Sequence, residues 1–190
     1  MKNNPLSHAA STTATRRESD PAHGLVIVHT GDGKGKTTAA FGMLARMLSH
    51  GRHCVVVQFI KRRRDHATRL LHHPHLQWHC VGSGFTWAGG GPEVARISCE
   101  TGWLMARLSL SDPTVDFVLL DELNIALACD YLEISDVLTA LAARPAGQHV
   151  VITGRHALPE LVTMADLVTE MHEVKHPFAA GVAAQSGIEF

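Results

Sequence analysis

Residues 25–38 read Leu25-Val26-Ile27-Val28-His29-Thr30-Gly31-Asp32-Gly33-Lys34-Gly35-Lys36-Thr37-Thr38. A short apolar run leads into a glycine-rich turn, and the turn ends in Gly-Lys-Thr at the start of a helical pattern. That order is the strand–loop–helix context of a phosphate-binding loop, and it sets the fold class. The register is unusual. The common pattern G-x-x-x-x-G-K-[ST], anchored on Gly35, Lys36 and Thr37, asks for a glycine at position 30. Thr30 stands there, and the glycine comes one place later, at Gly31.

Downstream, Ala40, Met43, Leu44, Met47 and Leu48 share one helical face, and Gly51 stops the helix. Further short apolar or β-branched runs predict strands at Cys54–Ile60, near Leu76–Val81, at Val115–Leu120, at His149–Gly154 and near Leu167–Met171. Between them, Val94, Ile97, Thr101, Leu104 and Leu108 mark one helix. Ile134, Val137, Leu138 and Leu141 mark another, closed by Arg144-Pro145, and a short helix is expected from about Leu158. Strands alternating with helices predict an α/β fold: a single domain of the P-loop NTPase type, its sheet mostly parallel and covered by helices on both faces. Residues 25–190 form this domain. Residues 1–24 are polar, rich in Ser, Thr and Ala, and are expected to be a flexible arm.

Composition narrows the partners. The chain has 190 residues and a formal net charge of −1, which gives no global field for nucleic acid or an anionic membrane. No apolar run approaches the length of a transmembrane helix, and the first residues lack the apolar core of a secretory signal. A cytoplasmic protein is expected. The four cysteines, Cys54, Cys80, Cys99 and Cys129, include no CxxC pair, so they are expected to be reduced core thiols. Of the 14 histidines, His72, His73, His75 and His79 cluster around Pro74, but their spacing fits no familiar metal site.

The loop carries specific chemistry. Glycines let successive N–H groups turn toward an anion, and the helix N-terminus adds its partial positive charge. Asp32, Gly33, Lys34, Gly35, Lys36, Thr37 and Thr38 are the candidate ATP-phosphate cradle. Lys36 meets the phosphates and the Thr37 hydroxyl meets Mg²⁺. Arg46, further along the helix, is a weaker candidate phosphate contact. Asp121-Glu122, after Val118-Leu119-Leu120, has the form of a Walker B acidic pair that reaches the metal; Asp121 could equally cap a helix. Which of the two carboxylates touches the ion stays open here. Nothing resembles the Asn-Lys-x-Asp guanine reader of GTPases.

The stretches TGDGKGKTTAAFG, VVQFIK, GSGFTW, FVLLDELN, ARP, VVITGRH and VKHPFAAGVAAQSGIEF occur in this order between Gly24 and Phe190. Together they resemble the P-loop class of ATP:corrinoid adenosyltransferases. The resemblance implies transfer of the 5′-deoxyadenosyl group of ATP to the Co(I) ion of a reduced corrinoid, cob(I)alamin or a precursor. Triphosphate is released, in adenosylcobalamin biosynthesis or corrinoid salvage. It implies a triphosphate held in the reverse sense to ordinary P-loop enzymes, which suits the displaced glycine.

Site residues follow from the same resemblance. It gives Lys36 and Glu122 catalytic roles, and Thr37 with Asp121 or Glu122 the Mg²⁺, or Mn²⁺ in its place. Phe85 and Trp87 would close the lower face of the corrin; on their own they read equally well as loop packing. A reduced flavoprotein is implied as electron donor, and a homodimer as the assembly. Departures from the family pattern fall on the corrinoid side: Lys61–His66, Ala88–Gly91 and Asn124-Ile125. Lys61–Arg64 could contact the corrinoid, though a short charge run is more often a solvated loop. Two other readings are an ATPase or kinase yielding ADP and a non-catalytic corrinoid-binding module.

Overall fold

The computed structural model describes residues 23–64, 68–82 and 91–188. Six strands form one sheet: β1 (Val26–Thr30), β2 (Cys54–Gln58), β3 (Leu76–Cys80), β4 (Phe117–Asp121), β5 (His149–Thr153) and β6 (Leu167–Glu170). Their order is β3-β2-β4-β5-β1-β6, and every pairing is parallel. The expectation of a mostly parallel sheet is therefore met by a wholly parallel one. The helices are α1 (Lys36–Ser49), α2 (Gly91–Ser111), α3 (Leu123–Ala128), α4 (Ile134–Ala143) and α5 (Pro159–Met164).

The central strands β1, β2 and β4 are buried along their whole length, as a doubly covered sheet requires. Alternate residues serve opposite faces. Ile27, Val56, Leu119 and Val151 meet α1 through Ala40, Leu44 and Leu48. Val28, Val57, Val118 and Ile152 meet α2 to α5 on the other side. Burying one such Leu or Val is worth about 1.5–3 kcal/mol.

Two features depart from the sequence reading. The helix expected from Val94 onward is present as α2, but with the opposite face inward. Ala95, Cys99, Gly102, Trp103, Ala106 and Leu110 are buried, whereas Val94, Ile97, Leu104 and Leu108 are 46, 52, 62 and 73% exposed. The cause is close approach: a Cβ on Gly102 would lie 2.5 Å from Val81 Cγ2 and 3.2 Å from the Phe59 ring. Small residues let the helix descend onto the sheet, and the bulky ones are left outside. The second feature is α3, a helix of one and a half turns with no counterpart in the periodicity.

Helix ends are closed by long-range bonds. Gln148 Nε2 donates to the carbonyls of Ser109 (3.0 Å), in the last turn of α2, and Val115 (3.0 Å), just beyond it. Arg144 donates to Leu141 O (2.6 Å) and Gly24 O (2.7 Å), tying the end of α4 to the start of β1. Parallel strands place all their carboxyl ends on one rim, where Thr30, Gln58, Asp121, Thr153 and Glu170 converge.

Candidate active site

The loop from β1 to α1 spans residues 31–35. Gly31 adopts φ +90°, and a Cβ there would collide with the Met171 carbonyl. Gly33 N donates to Met171 O (2.7 Å), and a Cβ on Gly33 would lie 2.7 Å from the His172 carbonyl carbon. The first half of the loop is thus pressed against the chain leaving β6. Thr30, by contrast, is still a strand residue, paired with Glu170, and its hydroxyl accepts from Ala157 N (3.1 Å). The displaced glycine has a local physical reason. The left-handed turn falls at position 31, and position 30 uses a side chain.

Gly35, at φ +104°, is the N-cap of α1 and gives no side-chain cap. The N–H groups of Lys36, Thr37 and Thr38 open the helix without intrahelical partners, as the first turn of any helix does. An anion would find them aligned with the helix dipole. Lys36 Nζ lies 2.7 Å from Gly31 O and 2.5 Å from Gly33 O, folded back over the loop. Burial, then the Arg155 charge, lowers its pKa. Asp32 is exposed; the backbone amides of Asp32 and Glu173 hold its carboxyl below the usual range.

Asp121, at the tip of β4, is 0% exposed and surrounded by donors. Its Oδ1 accepts from the hydroxyls of Thr37 (2.8 Å) and Thr153 (2.8 Å). Its Oδ2 accepts from Gln58 Nε2 (2.8 Å) and lies 3.7 Å from Lys61 Nζ. Glu122 differs in kind. It sits at φ +65°, a left-handed conformation that costs a non-glycine residue about 1–2 kcal/mol. Its N–H donates to Thr153 Oγ1 (3.0 Å), but its Oε2 is buried without a hydrogen-bond partner. Burial, and then the Asp121 charge, raise its pKa.

The two carboxylates therefore divide the work. Asp121 is occupied in orienting hydroxyls, whereas Glu122 holds an orphaned oxygen beside the loop. The donor set fits a divalent cation. Thr37 spends its one proton on Asp121 and keeps its lone pairs, and the unpartnered Glu122 oxygen lacks only a positive charge. Gly154 leaves room here, since a Cβ on it would stand 3.2 Å from Glu122 Oε2.

Loop, acidic pair and strand tips meet on one rim of the sheet. Residues 22–190 match the family model described as ATP:corrinoid adenosyltransferase BtuR/CobO/CobP. The chain belongs to the ATP:corrinoid adenosyltransferase family. It is 47% identical over 170 residues to the corrinoid adenosyltransferase of Pseudomonas aeruginosa, covering 88% of this chain and 84% of that one. It is 45% identical over 168 residues to Corrinoid adenosyltransferase CobA of Salmonella typhimurium and to the corrinoid adenosyltransferase of Escherichia coli, covering 88% of this chain and 86% of each relative.

Not every residue assigned through the family resemblance reaches the rim. Arg46 stands exposed in the last turn of α1, about 15 Å along the axis from Lys36. Phe85 and Trp87 lie outside the described residues, as do residues 1–22 of the arm. Conversely, the structure gives partners to Thr153 and Arg155, which the sequence places on this rim without a role, and adds Gln58. Arg155 Nη2 donates to Asp32 O (3.2 Å) from a turn that contains Gly154 at φ +128° and His156 at φ +60°. Gly-Arg at a strand tip, on the same rim as the loop, was the only signal for Arg155 in the sequence.

The basic stretch is only in part the solvated loop that a short charge run suggests: Arg62 and Arg63 are exposed, whereas Lys61 and Arg64 are half-buried. Lys61 pairs with Asp121, and Arg64 Cζ stacks 4.1 Å above the Trp78 ring. His53 and His75 stack at 4.2 Å, and His75 Nδ1 lies 2.8 Å from Gly51 O. Among the described residues no cluster of His, Cys, Asp and Glu could hold a metal as a separate site. The thiols are free. Burial lifts the pKa values of Cys54 and Cys99 to about 12, while Cys129 is exposed rather than in the core. Among the described residues no helix is long and apolar enough to cross a membrane.

Proposed function

We propose that the chain transfers the 5′-deoxyadenosyl group of ATP to the cobalt of a reduced corrinoid, with Mg²⁺ at the Thr37–Glu122 end of the loop. The observation that carries this reading is the arrangement at the strand tips, joined to family membership. Thr37 is held by Asp121, Glu122 is left with an unpartnered oxygen, and Lys36 lies over an uncapped helix start. The substrate's Co(I) supplies the electron pair that forms the Co–C5′ bond. The C5′–O bond breaks, and its electron pair leaves with the triphosphate, so cobalt ends as Co(III).

On this reading the protein supplies no nucleophile. Its task is to hold C5′ toward the corrinoid and to stabilise charge that grows on the leaving group. Lys36 exchanges the Gly31 and Gly33 carbonyls for phosphate oxygens. The loop amides, Lys34 and Arg155 add to the same field. Mg²⁺, or Mn²⁺ in its place, would neutralise triphosphate charge; Thr37 and Glu122 would hold it while Asp121 fixes the Thr37 hydroxyl. Phe85 and Trp87 keep the role that family resemblance implies, at the lower corrin face. The phosphate product tests the whole reading, since adenosyl transfer releases triphosphate whereas an ATPase or kinase releases ADP.

The reading includes a reduced flavoprotein as the source of electrons, and a homodimer. The exposed stripe of α2 supports the dimer. Val94, Ile97, Leu104 and Leu108 fall on one face, beside a groove of about 680 Å³ lined by Leu104, Arg107, Leu108, Asp136, Ala140 and Ala143. A monomer gains nothing from leaving such a stripe in water. Replacing both Leu104 and Leu108 with Glu is expected to halve the sedimenting mass and leave the melting temperature of the domain within a few degrees. An unchanged mass would assign the stripe to something other than the dimer.

A further inference from the structure

Gln58 lies within the VVQFIK stretch but received no role from it; it is 0% exposed at the tip of β2, in register beside Asp121 of β4. The orientation of its amide follows from chemistry. Oε1 accepts from the indole N–H of Trp78 (2.9 Å) and lies 3.3 Å from Cys80 Sγ. An indole N–H can only donate, so the oxygen must face β3 and the NH₂ must face Asp121. There Nε2 donates to Oδ2 at 2.8 Å.

We propose that Gln58 is a positioning residue for the cation end of the site: it holds the Asp121 carboxylate in one orientation and thereby fixes the direction of the Thr37 hydroxyl. This inference rests on the Mg²⁺–ATP reading of the rim. With Oδ2 held by Gln58, Oδ1 is turned to receive both threonine hydroxyls. Thr37 then donates inward and presents its lone pairs outward. Without Gln58, Oδ2 keeps only the Lys61 ammonium 3.7 Å away, and the carboxylate and the Thr37 hydroxyl are less firmly directed.

The contacts close on themselves. Thr37 leads to Asp121, Gln58 and Trp78, and Trp78 returns to α1 by packing on Phe41, 5.4 Å away and one turn beyond Thr37. The Arg64 guanidinium lies over the same indole, its Cζ 4.1 Å from the ring centre. Strand β3 therefore takes part in orienting a ligand residue on α1, which explains why a core strand ends in glutamine rather than another apolar residue. Partners that orient metal ligands typically change metal affinity about 10–100-fold when removed.

The test is equilibrium binding of ATP to the full chain by calorimetry, with Mg²⁺ and with a chelator, in the absence of corrinoid. Gln58→Met keeps the volume and removes both donors. Trp78→Phe keeps the stack on Arg64 and Phe41 and removes only the N–H that orients the amide. We expect Gln58→Met to weaken ATP binding about tenfold and Trp78→Phe about threefold with Mg²⁺, and both to match the unaltered chain within about twofold in chelator. Equal losses with and without Mg²⁺, or an undiminished Mg²⁺ enhancement in the folded variants, would overturn the proposal. If Gln58→Met does not fold, Trp78→Phe decides alone. If the unaltered chain itself binds ATP no better with Mg²⁺, it is the underlying Mg²⁺–ATP reading that fails.

Discussion

Lys36→Ala is expected to lower kcat/KM for adenosyl transfer by about a thousandfold or more, a loss of about 4 kcal/mol of transition-state stabilisation. The ammonium is folded back over the curl of the loop, 2.7 Å from Gly31 O and 2.5 Å from Gly33 O. In the ground state it shares the triphosphate with loop amides and the metal. In the transition state another negative charge gathers on the leaving oxygen, and Lys36 then contributes most. The greater part of the loss should fall on kcat, with ATP affinity reduced by a smaller factor. Steady-state kinetics with chemically reduced cobalamin separates the two. A loss under tenfold, or one confined to KM, would contradict the role assigned to this residue.

Glu122→Gln is expected to act in opposite directions on activity and stability. Transfer should fall about a hundredfold, because a neutral amide oxygen binds a divalent cation more weakly than a carboxylate does. The metal-free protein should become more stable at pH 7. The folded protein raises the pKa of Glu122, chiefly through burial, so between the ordinary carboxyl range and that raised value it binds more protons than the unfolded chain. The favourable contribution is whole below the ordinary value of 4.5 and is lost as pH rises through the folded pKa. At neutral pH, above the ordinary carboxyl range, the native protein therefore bears a cost from that burial, and the glutamine does not. Thermal melts in chelator should show the variant melting higher at pH 7 and the difference shrinking toward pH 4.5. A lower melting temperature at pH 7 would mean that Glu122 supports the fold rather than straining it.

Much of this site lay in local sequence. The run Val26-Ile27-Val28 and the Gly-Lys-Thr end of the loop mark a strand tip and a helix start because each is encoded within a few residues. Asp121-Glu122 was legible for the same reason. Their division of labour was not. It depends on Thr37, Thr153 and Gln58, which lie 84, 32 and 63 residues from Asp121 and meet it only through the strand order. The inward face of α2 was not legible because periodicity weighs bulk and marked Val94, Ile97, Leu104 and Leu108, whereas the buried face holds Gly102 and Ala106. Helix α3 escaped notice because six residues that begin after a left-handed Glu122 carry too little period to read. The displaced glycine was visible at once, but its reason was not. It lies in the Met171 carbonyl behind Gly31 and in the bond from Ala157 N to the Thr30 hydroxyl.

The central claim is that ATP is cleaved at its ribose carbon. Protein, ATP, Mg²⁺ and chemically reduced cobalamin, mixed without oxygen, test it most directly when the corrinoid spectrum and the phosphate product are followed together. A light-sensitive alkylcobalamin formed in step with intact triphosphate is the result expected here. ADP and phosphate beside an unchanged corrinoid would contradict it.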